Sequence, residues 1–133
     1  MRYLICFPLL GLLLTGCGLF DSGVEWRGGP YVLMWIDIPQ DVYLSRDLGN
    51  GSWSPRIEAR VFAVGWDGRY LVAQQHPGGD KKTTNYYVID SRKDADNADG
   101  KKALIGPLTK AEFAKKAAEL RLPGFTKVLA SLK

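Results

Sequence analysis

One amphipathic helical pattern, placed after a series of strand-length apolar runs, leaves this chain few places to put its helix. From Tyr31 to Asp90 the apolar stretches are "YVLMWIDI", "VYLSRD", "RIEARVFAVGWDGRYLVAQQ" and "NYYVIDS". Short runs rich in β-branched and aromatic residues, separated by Gly, Pro, Asn and Asp, read as strands. Asp67-Gly68 sits where a two-residue type I′ hairpin turn wants residues tolerant of positive φ. Tyr86 and Tyr87 fall on opposite faces of their strand. The last third changes period. Thr109 and Glu112 have the spacing of a capping box, and Leu108 and Phe113 that of a hydrophobic staple. Phe113, Ala117 and Leu120 recur at i, i+4 and i+7, and Pro123-Gly124 stops the pattern. The closing "FTKVLASLK" reads equally as strand or helix. A helix with one apolar face needs a sheet to cover. The expectation is an α+β domain, an antiparallel β-meander of about five strands covered by one C-terminal amphipathic helix.

The N-terminus follows a different logic. Met1-Arg2 precedes an apolar run from Tyr3 to Leu14. As a helix that run would be about 18 Å long, short of the roughly 30 Å hydrocarbon core of a bilayer. A positive start, a short apolar core and small residues after it mark a secretory signal peptide. Leu14-Thr15-Gly16-Cys17 resembles the lipobox of bacterial lipoproteins, an aliphatic residue and two small ones before a cysteine. The resemblance implies a diacylglycerol on the Cys17 thiol and cleavage of the bond before it. Two or three acyl chains anchor a protein stably where one does not. The organisation it implies is residues 1–16 as signal peptide, 17–29 as lipidated N-terminus and short glycine-rich tether, and 30–133 as a single α+β domain. Gly18 is not the aspartate that resembles an inner-membrane retention signal. In a Gram-negative cell that implies the outer membrane, facing the periplasm. Cys6 would leave with the signal peptide and Cys17 would carry lipid, so no thiol remains for a disulfide. A small exported domain without disulfides must be held by its core, which this length allows.

Three further features lie in the body of the chain: a W-x-x-G-P-Y stretch (Trp26 to Tyr31), the strand Tyr86-Tyr87-Val88-Ile89-Asp90, and Gly106-Pro107-Leu108-Thr109 leading to Phe113. Together they resemble an uncharacterised family of short bacterial lipoproteins. The resemblance implies fold and location; it brings no activity and no functional residue.

Chemistry-bearing motifs are few. The formal charge is +4, or +3 without Arg2, and the basic residues are scattered among acidic ones. No basic stripe with interleaved aromatics exists, so nucleic acid is not an expected partner. His76 is the one histidine, in the loop "HPGGD" with Asp80 close in sequence. Catalytic triads and most metal sites need a histidine with partners. "GGDKKTT" lacks the G-x-x-x-x-G-K-[ST] spacing of a phosphate-binding loop. "DADNADG", Asp94 to Gly100, is rich in oxygen donors but places Ala98, Asp99 and Ile105 where an EF-hand needs a ligand, Gly and Glu. A looser cation site there stays open. Asp37, Asp41, Asp47, Asp67 and Asp90 could supply a carboxylate pair, yet their spacing brings no two together. No cofactor or metal site is expected. Trp35 reads as core, and Trp66 flanks the hairpin turn. Trp53, in "GNGSWSP", reads as a loop residue, and exposed aromatics serve as interface anchors.

The candidate site residues are therefore Cys17 for lipidation, with Trp53 and His76 for binding. The expected function is a membrane-anchored envelope lipoprotein with a non-catalytic binding or structural role, holding an envelope protein as partner. One alternative is a periplasmic inhibitor or immunity lipoprotein that neutralises a toxin or lytic enzyme. Another is a small hydrolase using His76 or a carboxylate pair.

Overall fold

The computed structural model describes residues 21–94 and 100–133. In it the strand-length runs become nine strands in two antiparallel sheets. The first sheet is a meander of β1 (Ser22–Gly28), β2 (Tyr31–Ile36), β3 (Tyr43–Gly49) and β4 (Ser52–Ile57). The second begins as another meander, β5 (Val61–Trp66), β6 (Tyr70–Gln75), β7 (Asn85–Asp90) and β8 (Leu104–Leu108). The chain then forms helix α1 (Lys110–Leu120) and returns as the two-residue β9 (Lys127–Val128) on the free edge of β5. The order across the second sheet is β8-β7-β6-β5-β9.

The α+β class holds, and α1 covers a five-stranded sheet over β7 and β8. The four-stranded sheet on the other face of that sheet adds a third layer. Side-chain alternation explains how one sheet serves two neighbours. Leu71, Ala73 and Ile89 point toward the first sheet and join Tyr31, Leu33, Val42, Leu44 and Ile57 in one core. Tyr70, Val72 and Val88 point the other way, to Leu108, Phe113 and Leu120 under the helix. The middle layer is buried on both faces, which is why Tyr70–Ala73 of β6 are apolar without alternation. The two sheets also meet through backbone, Val61 N–H donating to the Val42 carbonyl at 2.8 Å.

Local expectations are met in part. The Thr109 hydroxyl accepts from Glu112 N–H at 3.2 Å, and the Glu112 carboxylate accepts from Thr109 N–H at 3.0 Å, closing the capping box. Arg121, in the left-handed conformation at φ +53°, ends the helix. Tyr86 stacks on Phe113 at 4.9 Å while Tyr87 turns to the opposite core. The β5–β6 hairpin forms, but its turn differs from the expected type I′, because only Gly68 of the pair has positive φ. The Asp67 carboxylate caps the turn instead, accepting from Arg69 N–H at 2.9 Å and Tyr70 N–H at 2.7 Å.

The glycine-rich stretch read as a tether also departs from expectation, since Ser22–Gly28 pair with β2 as an edge strand. Small size at Gly23 is what the strand needs: a Cβ there would run into the Trp35 indole.

Candidate functional site

Cys17 lies outside the described residues. Trp53, read as a loop residue, sits on edge strand β4, paired with Asp47 and 41% exposed. "LGNGSWSP" contains a turn only at residues 50–51; pairing with β3 makes Ser52 onward a strand. Pro55 fits there because an edge strand has a row of N–H groups with no ladder partner.

His76 is buried, 5% exposed, rather than on a solvated loop. Its ring stacks on Phe62 at 4.2 Å and 19°, and Nδ1 lies 2.9 Å from the Thr83 carbonyl. A carbonyl oxygen only accepts, so Nδ1 carries the proton. His76 also exchanges backbone hydrogen bonds with Arg60. Asp80 does not reach His76; it accepts from Lys82 N–H and the Thr83 hydroxyl. Trp53 and His76 are thus separate features on different sheets.

The aspartates considered as a carboxylate pair are dispersed, most of them to different cations. Asp41 pairs with Arg60 at 3.0 Å, Asp47 with Arg27 at 3.6 Å and Asp90 with Arg69 at 3.2 Å. Asp67 is occupied in its turn. Among the described residues, no three His, Cys, Asp or Glu side chains gather as metal ligands.

Asp94, first residue of the stretch considered for a cation, has another task. Its side chain is fully buried, and its carboxylate accepts from Arg56 Nε at 3.1 Å and from the Tyr31 hydroxyl at 2.8 Å. Arg46 stands 3.5 Å away, above the Tyr31 ring. Burial, and then the Asp94 hydrogen bond, push the Tyr31 phenol well above its ordinary range. Arg56 also donates to the Ser54 hydroxyl at 2.7 Å and lies where a Cβ on Gly100 would go. Residues 95–99 of that stretch are outside the described residues. The cluster ties the β7–β8 connection to the first sheet, and no local sequence signal announces it, since its members lie in four separate segments.

The concave feature of interest is on the helix-covered face of the second sheet. A cavity of about 330 Å³ opens between α1 and the β6–β8 end of the second sheet. Arg69, Lys93, Lys102 and Lys116 bring four cations to its lining, and Asp90 and Glu119 two carboxylates. Ala103, Ile105 and Leu120 supply apolar wall. Arg69 donates to Asp90 through Nε at 3.4 Å and Nη2 at 3.2 Å, and its guanidinium lies over the Tyr70 ring at 4.7 Å. The Arg69 hydrogen bond, helped by Arg92 N–H, holds the Asp90 carboxyl below the usual carboxylate range. No local motif announces this cavity: Arg69 follows a turn, Lys93 and Lys102 come from the two ends of the β7–β8 connection, and Lys116 from the helix.

A family model described as a protein of unknown function, DUF3997, matches residues 29–128. No curated protein and no solved structure matches the chain significantly. The family match begins after Cys17 and spans the folded domain, from the β1–β2 turn to β9.

Proposed function

The chain belongs to the DUF3997 family of unknown function, and for this member we propose a lipid-anchored envelope protein with a non-catalytic binding role. The lipobox-like Leu14-Thr15-Gly16-Cys17 motivates the anchor. One structural observation supports a domain that works close to the bilayer. The first described residue lies four positions after Cys17, and there the Asp21 carbonyl already accepts Asp37 N–H at 2.7 Å and β1 starts at Ser22. Four residues reach at most about 14 Å. A lipid on Cys17 would hold the first sheet near the membrane surface, with little freedom to roam. Ile36 and Ile38, 44% and 49% exposed, stand at the same end of that sheet.

The binding role rests on Trp53. An aromatic side chain exposed on an edge strand is the residue type and position that anchor protein partners. The partner in this reading is an envelope protein.

Two measurements on the full chain in its own cells test the proposal. Labelling with a fatty-acid analogue should mark the wild type and not Cys17→Ser. A photo-crosslinking amino acid at position 53 should capture one protein in near-stoichiometric yield. An unlabelled wild type overturns the anchor, and no captured protein overturns the Trp53 interface. If the captured protein is a toxin or lytic enzyme, the binding role becomes that of an inhibitor.

A further inference from the structure

We propose that the cavity beside α1 binds a dianionic phosphate group, free or carried on a small headgroup. Among the described residues, four cations line the cavity against two carboxylates, which leaves two positive charges in excess. The two carboxylates already have partners. Asp90 accepts from Arg69 twice and from Arg92 N–H at 3.1 Å, so both its oxygens are engaged. Glu119 is 3.7 Å from Lys116, an exposed pair of the kind that contributes little and exchanges easily. Among the described residues neither Lys93 nor Lys102 has a carboxylate within ion-pair distance.

Donor geometry points the same way. Arg69 presents five N–H donors, of which two go to Asp90. Asp90 below it and the Tyr70 ring beside it hold the guanidinium in place before any ligand arrives. A fixed guanidinium with mobile ammonium groups around it suits a tetrahedral oxyanion, because lysines act as rotatable point charges and arginine as a planar fork. A phosphate monoester carries about −1.5 to −2 at pH 7, which matches the excess.

Volume limits what else is attached. About 330 Å³ lies at the lower end of the range for small-molecule sites, roughly 300–1,000 Å³. The phosphate would take the basic mouth, and a few carbon atoms would lie on Ala103, Ile105 and Leu120. The inference does not depend on lipid at Cys17, because the cavity belongs to the second sheet and its helix.

Calorimetric titration of the full chain in uncharged detergent micelles tests it. The probes are inorganic phosphate, glycerol 3-phosphate, and the monoester lipid phosphatidic acid in phosphatidylcholine vesicles. Saturable binding of at least one probe, one site per chain, is expected. The double variant Lys93→Gln/Lys102→Gln should weaken it about tenfold with the melting temperature unchanged. The variant Lys81→Gln/Lys82→Gln, which removes the same charge from the loop at the opposite end of β6–β7, should bind as wild type. Preference for the ion, the monoester or the vesicle identifies the source of the phosphate, and each supports the site. Absence of saturable binding to all three probes overturns the proposal. So does equal weakening in both double variants, which would mean attraction by net charge alone.

Discussion

At the scale of single residues, the most consequential group is Asp94. Its carboxylate is enclosed by Arg56, Arg46 and the Tyr31 hydroxyl, so removing its charge breaks a buried ion pair from one side. Breaking a buried pair from one side costs about 3–5 kcal/mol, and Asp94→Asn should lower unfolding free energy by that amount in urea titrations. Tyr31→Phe removes one hydrogen bond to a charged acceptor and should cost less, about 1.5–3 kcal/mol. It should also change the alkaline limb. The folded phenol holds its proton above the ordinary value of 10.0, so stability is full below pH 10 and falls as pH rises past it. Phenylalanine at position 31 should flatten that fall. Asp90 works in the opposite direction. Arg69 depresses its pKa below 3.8, so its contribution is full above that value and is lost as pH falls through the folded pKa. Thermal melts of Asp90→Asn should therefore lie below wild type at pH 7 and converge with it in strong acid. None of these roles could be read from residue order, because Tyr31, Arg46, Arg56 and Asp94 are brought together only by strand pairing and layer packing.

At the scale of elements, α1 was legible because its determinants are local. The capping box, the staple and the i, i+4, i+7 face all lie within thirteen residues, from Leu108 to Leu120. Thr109→Ala should cost about 1 kcal/mol by leaving the Glu112 N–H without its acceptor, measurable by chemical denaturation. Strands were legible as apolar runs and blurred at their ends. β4 was hidden because Ser52, Pro55 and the glycines before it have the composition of a loop, while its pairing with β3 is what makes it a strand. β1 was hidden for the same reason. β9 was undecidable because two residues carry no period, and it exists through β5, whose edge it completes.

At the scale of the whole molecule, three layers share two cores, and the middle sheet belongs to both. A large-to-small change at Leu71 loosens the contact between sheets, and one at Val72 loosens the helix face. Leu71→Ala should cost about 2–5 kcal/mol on the scale of fully buried leucines, read from equilibrium unfolding. Val72→Ala removes fewer atoms and should cost less, and it should raise amide exchange in α1 ahead of exchange in β2 and β3. The sequence by itself determined the elements whose causes are close in the chain: the capped helix, the hairpin at Asp67-Gly68, the face alternation of Tyr86 and Tyr87, and the α+β class that follows from strands before a helix. Only the tertiary structure decided the split into two sheets, the burial of His76 against Phe62, the enclosure of Asp94, and the gathering of Arg69, Lys93, Lys102 and Lys116 around one cavity. The physical reason is range. Capping and periodicity act over one or two helical turns, whereas charge pairing and layer contact act between residues whose neighbours are fixed by register and packing.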